Sequence, residues 1–191
     1  MDYFIDRERI SIALLHYPVY DREGRIVATA LTTIDLHDLA RLARTYGLGA
    51  FFVVTPLRSQ RELGKRMIDH WTKGPGAVYN PSRREAMALV EVVKELKDAK
   101  EMIRGRWGKA PWVVATSAKV WWGRGIGFGE LAERMRGEEP YLLLFGTGWG
   151  LASSVIEEAD FVLQPIEGMG YNHLSVRTAA AIIIDRLLGG R

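Results

Sequence analysis

No cysteine occurs in the 191 residues, which excludes disulfides and any cysteine-ligated zinc or iron–sulfur centre. Histidine is also scarce, with four residues scattered without HExxH or another ligand spacing, so no metal site is expected. No apolar run reaches the ~20 residues that span a bilayer. The opening segment Met1 to Arg9 is too charged for a secretory leader, and the chain reads as cytoplasmic. Neither sign of charge dominates: 26 basic residues face 23 acidic ones, and the net +3 is compatible with a polyanionic partner without requiring one. Internal repeats, low-complexity tracts and dividing linkers are missing as well. Residues 1–191 therefore read as a single domain, long enough to bury a core without a covalent staple.

What is present alternates. Continuous apolar runs at Ile10–Leu15, Ala50–Val54, Trp112–Ala115, Tyr141–Phe145 and Phe161–Leu163 suit parallel strands covered on both faces. Gly76–Tyr79 is a candidate sixth strand, with a loop as the alternative. Between the runs lie helical spacings. Leu36, Leu39, Ala40 and Ala43 precede a stop at Gly47, and Val176, Ala179, Ala180, Ile183 and Leu187 precede Gly189. Ala86, Leu89, Val90 and Val93 repeat the pattern and predict the longest helix, starting after Asn80-Pro81-Ser82. Tyr20 to Gly24 reads as a hairpin tip with Ile26–Ala30 returning. The fold class is α/β, a parallel sheet of five to six strands flanked by helices.

Two C-terminal segments carry chemistry. The apolar strand Leu142–Phe145 runs into Gly146-Thr147-Gly148-Trp149-Gly150, a turn whose glycines let backbone approach a nucleotide-like ligand. A Rossmann nucleotide fold would place this motif first, followed by several βα units. Here one strand and one helix remain, so that reading, with its small-molecule methyltransferase function, is the alternative. The second segment is the strand Phe161–Leu163, a Gln164-Pro165-Ile166-Glu167-Gly168 turn, and the polar entry Tyr171 to Arg177 into an alanine-rich helix. Ser175 or Asn172 could cap that helix.

In their order and spacing these two segments resemble the second and third motifs of the SPOUT superfamily of S-adenosylmethionine (SAM)-dependent RNA methyltransferases. Asp35 to Arg41 looks like its first motif. His16-Tyr17-Pro18-Val19, Arg44-Thr45-Tyr46-Gly47 and Val54-Thr55-Pro56-Leu57 are similar to a bacterial subgroup found alone or fused to tRNA guanine-N1 methyltransferase. The resemblance covers nearly the whole chain. It implies a deep C-terminal trefoil knot, a homodimer, SAM as cofactor, and tRNA or rRNA as methyl acceptor. Thr147-Gly148-Trp149 departs from branches with a glutamate in the second motif, so ribose specificity is not implied. A SAM-binding RNA module without catalysis is the non-enzyme alternative.

By resemblance the cofactor pocket comprises Thr116, Ser117 and Ala118; Phe145, Gly146, Thr147, Gly148, Trp149 and Gly150; Gln164, Pro165, Ile166, Glu167 and Gly168; and Asn172, His173, Leu174 and Ser175. Leu174 is expected against the adenine. The family's third-motif asparagine corresponds to Asn172 or, one step along, to His173. Arg41 is the catalytic candidate by motif position, with a solvated helix arginine as the alternative reading. Glu167 could accept a proton from the acceptor, and His16, following the first strand, could act as a base. Trp121, Trp122 and Arg124 on a glycine-rich loop, with Arg41, Arg44, Lys73, Arg83 and Arg84, are the candidates for RNA contact.

Overall fold

The first strand shows why the chain folds as it does. All six residues of β1 (Ile10–Leu15) are buried, so the strand must be covered on both faces. Ile10, Ile12 and Leu14 enter one core, and Ala13 and Leu15 the other, as the two-residue period of a strand dictates. Each fully buried leucine here contributes about 2 kcal/mol. The computed structural model describes residues 4–121 and 123–189; Trp122 lies outside them.

After β1, a short antiparallel hairpin forms from β2 (Val19–Tyr20) and β3 (Ile26–Val27). Helix α1 (Thr33–Tyr46) follows, begun by the Thr32 hydroxyl accepting from the Asp35 amide and ended by Gly47 at φ 69°. Next come β4 (Ala50–Val54), α2 (Arg58–Thr72), α3 (Pro75–Tyr79), α4 (Pro81–Met87) and β5 (Val90–Val93). The remainder runs α5 (Leu96–Trp107), β6 (Trp112–Thr116), β7 (Gly125–Ile126), α6 (Phe128–Arg134), β8 (Tyr141–Gly146), α7 (Ser153–Glu157), β9 (Phe161–Leu163) and α8 (Val176–Leu188).

Among the described residues, seven strands form one sheet in the order β5-β4-β1-β8-β6-β9-β7, every pairing parallel. One core packs against residues of α1, α4, α6 and α8, the other against α5 and α7. The five expected strands are all present. Gly76–Tyr79 is helical instead, because Pro75 at its first turn presets a helical φ. The long helix expected through Ala86 and Val93 stops at Met87, and Val90–Val93 is a strand in register with Phe51–Val54. Three β-branched valines in four positions favour that extended form. The longest helix is α2, where Gly64 lets the helix approach Leu31 and Val92.

Candidate functional site

Because the sheet is parallel, the loops leaving β1, β8, β6 and β9 collect at one edge, where ligands of open α/β sheets sit. The glycine loop after β8 is held against the hairpin. The Trp149 amide donates to the Tyr20 carbonyl at 2.8 Å, and the Tyr20 amide donates to the Gly150 carbonyl at 2.9 Å. Gly148 has φ +59°, and a β-carbon there would lie 2.7 Å from the Tyr20 oxygen. Glycine is therefore required at this position by its contact with the protein itself, not only by a ligand. Tyr20 also bonds Ser153 through its hydroxyl, capping the start of α7.

Beneath this loop runs a chain of hydrogen bonds. The Thr147 hydroxyl donates to the Leu15 carbonyl at 3.1 Å. With its one proton so used, Thr147 accepts from Thr29 at 2.5 Å, and Thr29 accepts from Nδ1–H of His16 at 2.9 Å. The chain fixes the histidine tautomer and leaves Nε2, buried and without a partner among the described residues, as a bare lone pair. His16 is 0% exposed. Burial pushes its pKa down to about 4, against the opposing pull of Asp35.

The loops after β6 and β9 are joined by one side chain. The Asn172 amide nitrogen donates to the Ile166 carbonyl at 2.9 Å and to the Ala118 carbonyl at 3.4 Å. Thr116 donates to the Leu144 carbonyl at 2.7 Å, tying its loop to β8. Ser117 accepts from Trp121 Nε1 at 3.3 Å. The third-motif loop then meets the glycine loop: the His173 ring centre lies 6.4 Å from that of Trp149 and 5.1 Å from that of Tyr171. Trp149 and Tyr171 are 60% and 72% exposed, an unusual state for large rings. Between the loop after β6 and the end of β9 a cleft is lined by Trp121, Gly123, Val162, Leu163, Gln164 and Pro165. Its lining mixes apolar side chains with the polar Gln164, a combination that suits the adenosyl part of a nucleoside cofactor.

The edge thus gathers most of the residues expected to hold a cofactor, but several have other tasks. Phe145 is 2% exposed and packs in the core. Ser175 caps α8, accepting from the Thr178 amide. Glu167, Gly168 and Leu174 are exposed on the third-motif loop, and Ile166 is half-buried there. Arg41 stands exposed on α1, without a carboxylate in ion-pair reach among the described residues. Arg44 pairs with Glu85 at 2.8 Å, Lys73 with Asp69 at 2.7 Å, and Arg84 is exposed. Arg124 is committed to the carbonyls of Glu157 and Ala159. Its guanidinium staples its loop to the end of α7, which leaves it less free for RNA. Trp121 is half-buried, and Trp122 falls outside the described residues.

Sequence reasoning missed Thr29, Tyr20 and Arg177. Arg177, in the first turn of α8, lies 3.1 Å from Asp35 and 3.3 Å from Asp38. It links the helix of the first motif to that of the third. Nothing in the local sequence signals a partner more than 130 residues away.

The model of a family described as SAM-dependent RNA methyltransferase matches residues 9–189. The chain belongs to this family. Two relatives named tRNA (guanine-N(1)-)-methyltransferase match it. The protein of Oleidesulfovibrio alaskensis is 48% identical over 96% of this chain and 44% of its own length. That of Nitratidesulfovibrio vulgaris is 51% identical over 93% of this chain and 41% of its own. The chain thus spans less than half of these relatives. An uncharacterized protein of Aquifex aeolicus is 40% identical over 94% of this chain and 88% of its own length. Among solved structures, a probable methylase family protein from Haemophilus influenzae superposes with a TM-score of 0.65 at 17% identity, covering 95% of this chain and 66% of that one. The Aquifex aeolicus TrmH/SpoU tRNA modifying enzyme superposes at 0.58 and 13% identity, covering 98% and 77%. The fold is that of SPOUT methyltransferases. SAM is the family's methyl donor, and the RNA methyltransferase family is where the expected function falls.

Proposed function

We propose that the loops gathered at the C-terminal edge of the sheet bind SAM, and that the chain transfers its methyl group to a nucleotide of tRNA. The observation that carries the reading is the convergence of the glycine loop and the third-motif loop at Trp149 and His173, with Asn172 clamping the latter to the loop after β6. Family membership and the names of the two longer relatives support RNA, and tRNA in particular. The guanine-N1 specificity in those names is not carried over, because this chain spans less than half of either protein.

SAM supplies an activated methyl on a sulfonium, so transfer needs mainly alignment with a nucleophilic acceptor. Residues assigned to the pocket are Thr116 to Ala118, Gly146 to Gly150, Gln164 to Gly168 and Asn172 to Leu174. Arg41 holds the acceptor nucleotide, and exposed Glu167 takes its proton. His16, sealed from solvent, is assigned to holding the glycine loop rather than to proton transfer. We further propose that residues 1–191 act as one domain, that the C-terminal segment is knotted, and that two copies pair through this edge. Burying Trp149, Met169 and Tyr171 would favour such pairing. Work in the cytoplasm without a metal completes the proposal.

Calorimetric titration with SAM and S-adenosylhomocysteine tests the pocket, followed by labelled methyl transfer into total RNA. One site per chain and label recovered in the tRNA fraction are expected. A folded protein that binds neither compound would overturn the reading.

A further inference from the structure

Away from the loops, helices α1, α2 and α4 bring a second set of residues to one surface. Trp71, half-buried on α2, stands perpendicular to the rings of His37 and His70, with ring centres 5.4 and 5.0 Å away. Arg83 of α4 lays its guanidinium 4.6 Å from the centre of the same indole. Arg83 Nε and His37 Nδ1 are both shielded from water, and neither has a hydrogen-bond partner among the described residues. Arg83 Nε–H is a donor whatever the pH, and leaving it unpaired costs about 1–3 kcal/mol, so an acceptor that reaches the guanidinium is favoured.

The charge there is uncompensated. Burial lowers the His37 pKa, Arg83 and Arg41 lower it further, and only Asp38 opposes them. Asp38 already faces Arg177 at 3.3 Å. Contrast Trp107, which also carries two arginines, Arg9 and Arg106, at 4.6 and 5.1 Å. Those two are matched by Asp6 and Glu8, which leaves nothing for a ligand to neutralise. At Trp71, Arg83 has no carboxylate partner among the described residues. The ligand that fits one unpaired guanidinium beside a neutral imidazole on an aromatic platform is an anion with several oxygens, and a phosphodiester is the one that RNA offers.

We propose that Arg83 and His37, seated on Trp71, form a phosphate-binding patch for the backbone of the substrate RNA. The proposal rests on the RNA-methylating function put forward above. Position favours RNA over a free anion. Arg41, assigned above to the acceptor nucleotide, lies one turn beyond His37 on the same face of α1 and acts on it electrostatically, so a strand held there reaches the patch within a few nucleotides.

The test measures binding of fluorescently labelled total tRNA over a salt series, with SAM titration alongside, for the wild type, Arg83→Ala, Arg83→Lys and His37→Ala. Arg83→Ala should weaken RNA binding about tenfold and flatten the slope of log K against log salt by about 0.7 to 0.9 for the lost phosphate contact, leaving SAM affinity unchanged. Arg83→Lys, which keeps the charge, should retain the slope, and His37→Ala should lower affinity with little change in slope. Equal weakening by Ala and Lys would mean that packing on Trp71 matters rather than charge, and would overturn the patch. So would RNA binding by Arg83→Ala at the wild-type affinity and slope. A wild type that binds SAM but no RNA would overturn the patch together with the RNA reading on which it rests.

Discussion

Lowering the pH from about 7.5 to about 4.5 should destabilise this protein by about 2.5 kcal/mol through His16 alone. In the folded protein burial holds its pKa at about 4, against 6.5 for a free imidazole. The folded pKa is depressed, so the unfolded chain takes up a proton first as pH falls below 6.5, and the native state follows only near 4. Stability is therefore full above pH 6.5 and drains away across that window. Full protonation of both states would bring the loss to about 3.4 kcal/mol, because each pH unit between the folded and unfolded pKa is worth about 1.36 kcal/mol. Urea denaturation at the two pH values reads this as a midpoint lower by about 1 M, for a slope of about 2–3 kcal/mol per molar. Carboxylates titrate over the same range, so the informative quantity is the difference from His16→Asn, which can still donate to Thr29 but does not titrate. The variant should start less stable and lose about 2.5 kcal/mol less on acidification. Equal acid sensitivity in both proteins would refute the account of His16 as a buried neutral group.

Gly148→Ala should destabilise the fold by about 2–4 kcal/mol, from the left-handed conformation and the contact with the Tyr20 carbonyl, lowering the melting temperature before any effect on cofactor is read. Unchanged melting would show that the hairpin does not clamp the loop. Asn172→Ala should lower SAM affinity roughly tenfold with little loss of stability, since its two bonds lie in the loops and not in the core; calorimetry decides. Arg41→Ala should slow methyl transfer about a hundredfold at unchanged SAM affinity, and an unimpaired rate would remove Arg41 from the mechanism.

The central strands are legible because parallel strands covered on both sides leave an unbroken apolar signature, as in Ile10–Leu15 and Tyr141–Phe145. Val90–Val93 reads as helix from sequence because Ala86, Leu89, Val90 and Val93 share a helical spacing with a strand composition, and pairing with β4 decides between them. Gly125–Ile126 is too short to show any period and exists through its pairing with β9. At the site, the glycine loop and the third-motif loop can be read from their local chemistry. The chain through His16, Thr29 and Thr147 cannot, since two threonines 118 residues apart carry no mutual mark. Arg124 misleads for the opposite reason: its glycine-rich loop looks open, but its guanidinium finds carbonyls of a helix end some 33 residues on.

Strand β1 lies between β4 and β8, and its partners on the β8 side span residues 141–146. During synthesis the first strand therefore waits, with one hydrogen-bonding edge unmatched, until residues 141–146, about 130 positions further on, have left the ribosome. Exposed edges of this kind recruit wrong partners, which makes the interval before Tyr141 emerges the vulnerable stage of biogenesis. Truncated products ending before β8 should aggregate or be degraded rather than accumulate in soluble form, and the loops of the site should acquire their final shape only after that pairing.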